Sequence, residues 1–182
     1  MTDKPAALLS HKLDLARLGD APPDVSVIAS TESCIAIAAA FGLPAIGALS
    51  GIFRLRRGRD GRMMTQTDMS ARITQICVVT LESFEQRVAE RATLVLLTEK
   101  DAADTSGDDL IDPDAPDEIV ADGTIVDFGA ILVEQLALAI DPYPRKPGAV
   151  IPGDLALGHH HPFAALARLH QPDPDPDTED DT

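Results

Sequence analysis

Residues 51–79 read GIFRLRRGRDGRMMTQTDMSARITQICVV, and their pattern decides the fold. Over 51–57, Phe53 and Leu55 alternate with Ile52, Arg54 and Arg56, the period-two signature of a strand with one buried face. Asp60–Gly61 then marks a hairpin turn, because Gly accepts the positive φ such turns require. A second strand is expected from about Met63 to Val79, with Met69, Ala71 and Ile73 on one face and Ile76 and Val78 sharing another. The phase slips near Gln75, which predicts a bulge there.

Working outward, a turn at Glu82–Ser83 leads to a third strand over 84–97, and 25–29 supplies a fourth. Ser30 or Thr31 can cap a helix that reaches Phe41, with Glu32 in its first turn and Gly42 and Pro44 stopping it. The clearest helix is 125–140, capped by Asp127. Glu134 and Gln135 are nearly its only polar residues, so it is expected to lie buried against the sheet until Pro142 and Pro144 end it. The fold class is therefore α+β: an antiparallel sheet, open or curled towards a partial barrel, with helices packed on one face. Residues 1–24 read as a leader in which 11–18 could form a short helix or strand before Pro22 and Pro23. Residues 25–170 read as one domain carrying a flexible acidic loop at 99–122, and 171–182 as a disordered acidic tail.

Composition narrows the function. A chain of 182 residues with 45% hydrophobic residues can bury a full core. There is no Trp, so that core is expected to be Leu, Ile, Val and Ala. No apolar run is long enough to span a membrane, and 1–15 has no signal-peptide core, so neither a membrane partner nor export is expected. Two distant cysteines, Cys34 and Cys77, fit a reducing cytoplasm better than a disulfide framework. The net charge of −15 is unevenly spread: 11 basic and 10 acidic residues up to Leu97, then 4 and 20 from Thr98 onward. Acidic surface opposes nucleic acid at long range, so any RNA contact has to be local, and no DNA partner is expected.

That local contact has a candidate. Arg54, Arg56, Arg57, Arg59 and Arg62 crowd one hairpin, and guanidinium pairs bidentately with phosphate oxygens. The same arginines would also serve as charges that block edge pairing. Tyr143, Arg145 and Lys146 sit in a Pro-bounded segment that reads either as a recognition loop or as a strap pinning the helix to the sheet. Phe163, Leu166 and Leu169 in PFAALARL recur one helical turn apart and suit docking into a partner's groove. Metal is not expected: His159–His161 are adjacent imidazoles with poor ligand geometry, and no Cys or His near Cys77 completes a four-ligand site. Glu134 has no assignable catalytic partner, and no nucleotide-binding, nucleophile-elbow or zinc-protease motif is present, so no enzyme and no cofactor are expected.

The stretches TQICVVTLESFEQRVAER (74–91), DPYPRKPG (141–148) and PFAALARL (162–169), in this order and spacing, resemble the YceD family, the large-ribosomal-RNA-subunit accumulation proteins of bacteria and plastids. The resemblance runs from about Val25 to Leu169. It implies a non-enzymatic cytoplasmic factor needed for accumulation of 23S ribosomal RNA and for large-subunit biogenesis. The implied partners are ribosomal RNA or a large-subunit precursor; the alternative is an acidic adaptor that binds basic ribosomal proteins without touching RNA. Many such sequences carry Cys-x-x-Cys where this chain has Cys77 and Thr80, a departure that argues against metal at this position.

Overall fold

The computed structural model describes residues 8–19, 21–58, 61–104 and 115–150. In chain order its elements are β1 (Lys12–Asp14), a single 3-10 turn (Leu15–Arg17), β2 (Val25–Ile28), α1 (Thr31–Phe41), β3 (Ala45–Arg57), β4 (Met63–Ile76), β5 (Ser83–Leu97), α2 (Glu99–Asp104), β6 (Asp117–Val120), β7 (Ile125–Asp127) and α3 (Phe128–Ala139). The main sheet runs β2-β3-β4-β5-β6, with β1 and β7 forming a separate antiparallel ladder. Three of the main ladders are antiparallel and β5–β6 is parallel. The fold is α+β as expected, but the sheet is open rather than a partial barrel and gains a parallel edge strand.

Alternation divides the sheet into two faces. Phe53 and Leu55 of β3, Met69, Ala71 and Ile73 of β4, and Val88, Leu94 and Leu96 of β5 are buried in one core with Ile37 of α1 and Phe128, Leu132 and Leu136 of α3. Each of these side chains larger than Ala contributes about 1.5–3 kcal/mol by leaving water. Phe53 and Phe128 meet edge-on, 4.9 Å between centroids. Gly51 lets α3 lie close, since a Cβ there would stand 2.7 Å from Leu132 Cδ1. Thr65 and Thr67 also point inward, and their buried hydroxyls have no hydrogen-bond partner.

The caps follow the sequence. Ser30 Oγ accepts from Ser33 N–H at 3.1 Å, and Gly42 ends α1 at φ 65°. Asp127 caps α3 through Gly129 and Ala130 N–H, at 3.0 and 3.3 Å. The same carboxylate accepts from Ser10 Oγ and His11 N–H, each at 2.7 Å. Burial would raise the Asp127 pKa, but the bonds donated by Ser10, His11, Ala130 and Gly129 outweigh it and hold the carboxyl below its ordinary value. Gly129 is required here for space, because a Cβ would meet Ser10 backbone at 2.7 Å. The ladder β1–β7 and buried Leu15 complete the junction, so part of what reads as leader is built into the fold.

Other expectations are corrected. There is no bulge at Gln75: β4 pairs with β5 without interruption from Met63 to Ile76, and the register shift lies in β3 between Ile46 and Ala48. Gln75 keeps the buried phase because its Nε2 donates to the Asp141 carbonyl at 2.9 Å. The second strand stops at Ile76, and the turn spans Cys77 to Glu82, with Leu81 N–H on the Cys77 carbonyl and Cys77 N–H on the Glu82 carbonyl, both at 2.9 Å. The last helix starts at Phe128, since the Asp127 cap leaves Ile125–Asp127 to pair with β1. It is buried on one face only; Leu138 is 73% exposed. Both ends of the expected acidic loop are regular structure, α2 before it and β6 after it. Residues 105–114 and the expected tail lie outside the described residues.

Candidate nucleic-acid interface

Among the described residues the second face of the sheet carries no helix. On it stand Ser50, Ile52, Arg54 and Arg56 of β3, Gln66, Asp68, Ser70 and Arg72 of β4, and Arg87, Ala89, Arg91 and Thr93 of β5. Register places Arg72 directly opposite Arg87, and Asp68 between Ile52 and Arg91. Two like charges opposite each other are unfavourable on an antiparallel ladder unless something anionic offsets them. Glu85 does so in part, its Oε2 3.5 Å from Arg72 Nε; among the described residues Arg87 has no ion pair. Gly47, at the register shift of β3, makes room for the Arg72 guanidinium, whose Nε would stand 2.9 Å from a Cβ there.

Asp68 is the central acid. It accepts from Arg54 Nη1 and, at 2.6 Å, from Arg91 Nε. These bonds, Arg54 first, hold the Asp68 carboxyl below its ordinary pKa, and Asp68 in turn raises Arg54. Arg56 reaches Asp24 at 3.4 Å. Five arginines (54, 56, 72, 87, 91) thus face three carboxylates (24, 68, 85), an excess of two positive charges on a chain of net −15. Exposed pairs of this kind are worth about 0–1 kcal/mol, so exchanging a carboxylate for a phosphate costs little.

Of the hairpin arginines, the four described ones, Arg54, Arg56, Arg57 and Arg62, do not gather into one cluster. Alternation sends Arg54 and Arg56 to the open face. Arg57, in the opposite phase at the strand end, stays exposed and donates to the Gly61 carbonyl at 3.0 Å and the Leu18 carbonyl at 3.3 Å. Arg62 lies 3.9 Å from Glu118 of β6. Arg59 lies outside the described residues. Reading the sequence missed Arg72, Arg87 and Arg91, which are scattered along the chain. The available signal was their phase: even positions of β4 and odd positions of β5 share the face of Arg54 once the strands are paired.

The segment after α3 is a strap. Pro144 accepts from Val78 N–H at 2.9 Å, and Lys146 Nζ reaches Glu82 Oε2 at 2.9 Å, tying the loop to the turn after β4. Arg145 is exposed and makes no ion pair among the described residues. Cys77 lies in this junction, fully buried, its Sγ accepting from Val79 and Thr80 N–H at 3.4 Å each. Hydrogen bonding from the Thr80 side chain, ahead of the backbone donors, brings its pKa down to about 7. Among the described residues no group of three or more His, Cys, Asp or Glu is placed to hold a metal. His159–His161, Phe163, Leu166 and Leu169 lie outside the described residues.

One face packed by helices and one that, among the described residues, carries none but holds a surplus of arginine define an open-faced α+β domain. Residues 66–170 match the family model described as Large ribosomal RNA subunit accumulation protein YceD, and the chain belongs to the YceD family. The family name points to a role in accumulation of the large ribosomal RNA subunit. The match takes in Arg72, Arg87, Arg91 and the strap, while Arg54 to Arg62 precede it. No curated protein and no solved structure matches the chain. No helix among the described residues is long and apolar enough to cross a membrane.

Proposed function

We propose that this protein is a non-enzymatic cytoplasmic factor that supports 23S ribosomal RNA accumulation and large-subunit biogenesis by holding rRNA backbone on its open sheet face. The observation that carries this reading is the Arg72–Arg87 pair, two cations set side by side on an uncovered surface with Arg54 and Arg91 nearby. Ser50, Ser70, Gln66 and Thr93 add hydroxyl and amide groups between them. The face has no aromatic side chain on which bases could stack, so it suits phosphate and sugar and reads shape rather than sequence.

Replacing Arg72, Arg87 and Arg91 with Gln tests it. Binding to several 23S fragments is expected to weaken alike for all, and the slope of log affinity against log salt to flatten by about two to three. An unchanged slope in the folded variant overturns the reading. The 20 acidic residues after Leu97 favour a second reading, an adaptor for basic ribosomal proteins. That reading requires co-fractionation with large-subunit proteins to survive both nuclease treatment and the triple substitution.

A further inference from the structure

The helix-bearing side of the molecule holds a recess with an unusual wall. Phe41, Leu43 and Pro44 at the end of α1, Ile76 and Val78 at the end of β4, and Ile140, Pro142 and Pro144 after α3 line an open recess of about 320 Å³. Gln75 lines it as well. This side chain is 4% exposed; its Nε2 is satisfied by the Asp141 carbonyl, whereas its Oε1 has no donor. Buried amide oxygens are nearly always hydrogen-bonded, because leaving one unmade is costly. Ile76 and Val78, which line it, are 52% and 45% exposed. A recess with these apolar walls and an apolar rim fits an apolar side chain.

We infer that the recess receives the chain's own stretch 162–169, with Phe163 as the anchor. The position of the chain argues for this occupant. Val150, the end of the described strap, is six residues past Pro144, so it lies within about 20 Å of the recess. Thirteen further residues reach Phe163, a span of up to about 45 Å. The tether makes docking intramolecular, with an effective concentration no separate partner readily matches. Phe163, Leu166 and Leu169 are the last large apolar residues of the sequence, and Phe163 follows a Pro that cannot itself donate. This inference is independent of the RNA reading, because it concerns the end of β4 and the segment after α3 and involves none of the open face's arginines.

The test compares amide spectra of the full isotope-labelled chain with those of the F163A/L166A/L169A variant. The expected result is that amides of Gln75, Ile76, Val78, Ile140 and Asp141 shift in the variant, and that a peptide of residues 160–171 added in trans restores them. Val78→Arg, at a half-exposed rim position that leaves the core intact, is expected to reproduce those shifts in the full chain and to block restoration by the peptide. Identical spectra for the parent and the triple variant overturn the inference. So do shifts confined to the neighbouring recess of Leu8, Leu9 and Val133. Shifts that appear only when large-subunit particles are added also overturn it, and assign the recess to a partner.

Discussion

Along β4 the odd-numbered side chains and the even-numbered ones live in different solvents. Met63, Thr65, Thr67, Met69, Ala71, Ile73 and Gln75 are buried against the helices, while Gln66, Ser70, Arg72 and Ile76 face water. The two sets share one backbone and one ladder, so the difference between them is a difference of cover. The covered set sets stability: changes there alter volume, apolar area or hydrogen-bond satisfaction. The open set sets what the surface attracts, because its charges are screened and its ion pairs weak.

The contrast breaks if a core truncation is mild. Phe53→Ala removes the ring that meets Phe128 and is expected to cost about 3–5 kcal/mol, read as a lower denaturant midpoint at constant slope. Thr67→Val sharpens it from the other direction. The substitution keeps the β-branched shape and removes a buried hydroxyl that has no partner, so a gain of about 1 kcal/mol is expected in the same measurement. A loss would show that the hydroxyl is satisfied by solvent inside the core.

On the open face, Asp68→Asn is expected to change stability near neutral pH far less than either core substitution while raising affinity for RNA, since Arg54 and Arg91 lose their competing carboxylate. The pH dependence has a definite sign. The Asp68 carboxyl is held below its ordinary pKa in the folded chain, so its contribution is present above the unfolded value, near 4. That contribution is lost as pH falls through the lower folded value, and the Asn variant should lack this part of the acid slope. The smallest effect concerns one proton at the end of β4. Thr80→Val removes the largest of the influences that bring the Cys77 thiol to about 7, so thiolate absorbance in the folded chain is expected to titrate at higher pH. Unchanged titration would assign the depression to the backbone donors of the turn.

Much of the packed face could be read directly. Phe53, Leu55, Met69, Ala71 and Ile73 announced themselves by period, and Ser30, Gly42 and Asp127 by cap chemistry, because these depend on neighbours within a few residues. Gln75 misled for a physical reason. A polar residue in a buried phase looks like a slip unless its partner is known, and that partner, the Asp141 carbonyl, lies 66 residues away. The arginines show the same dependence on distant partners: Arg54, Arg56, Arg57 and Arg62 are close in sequence yet point three ways, whereas Arg72, Arg87 and Arg91 are dispersed in sequence and share one face.

The sequence by itself determined the α+β class, the long hairpin strands, both helix caps and the family resemblance, since alternation, turn residues and caps are local physics. Tertiary structure alone decided which arginines stand together, that Ser10 and His11 join the cap of α3, that β6 adds a parallel edge, and that Cys77 is buried beneath the strap. Those features depend on strand register and on contacts between residues far apart in the chain, and no local preference encodes which distant partner will complete a hydrogen bond or share a face.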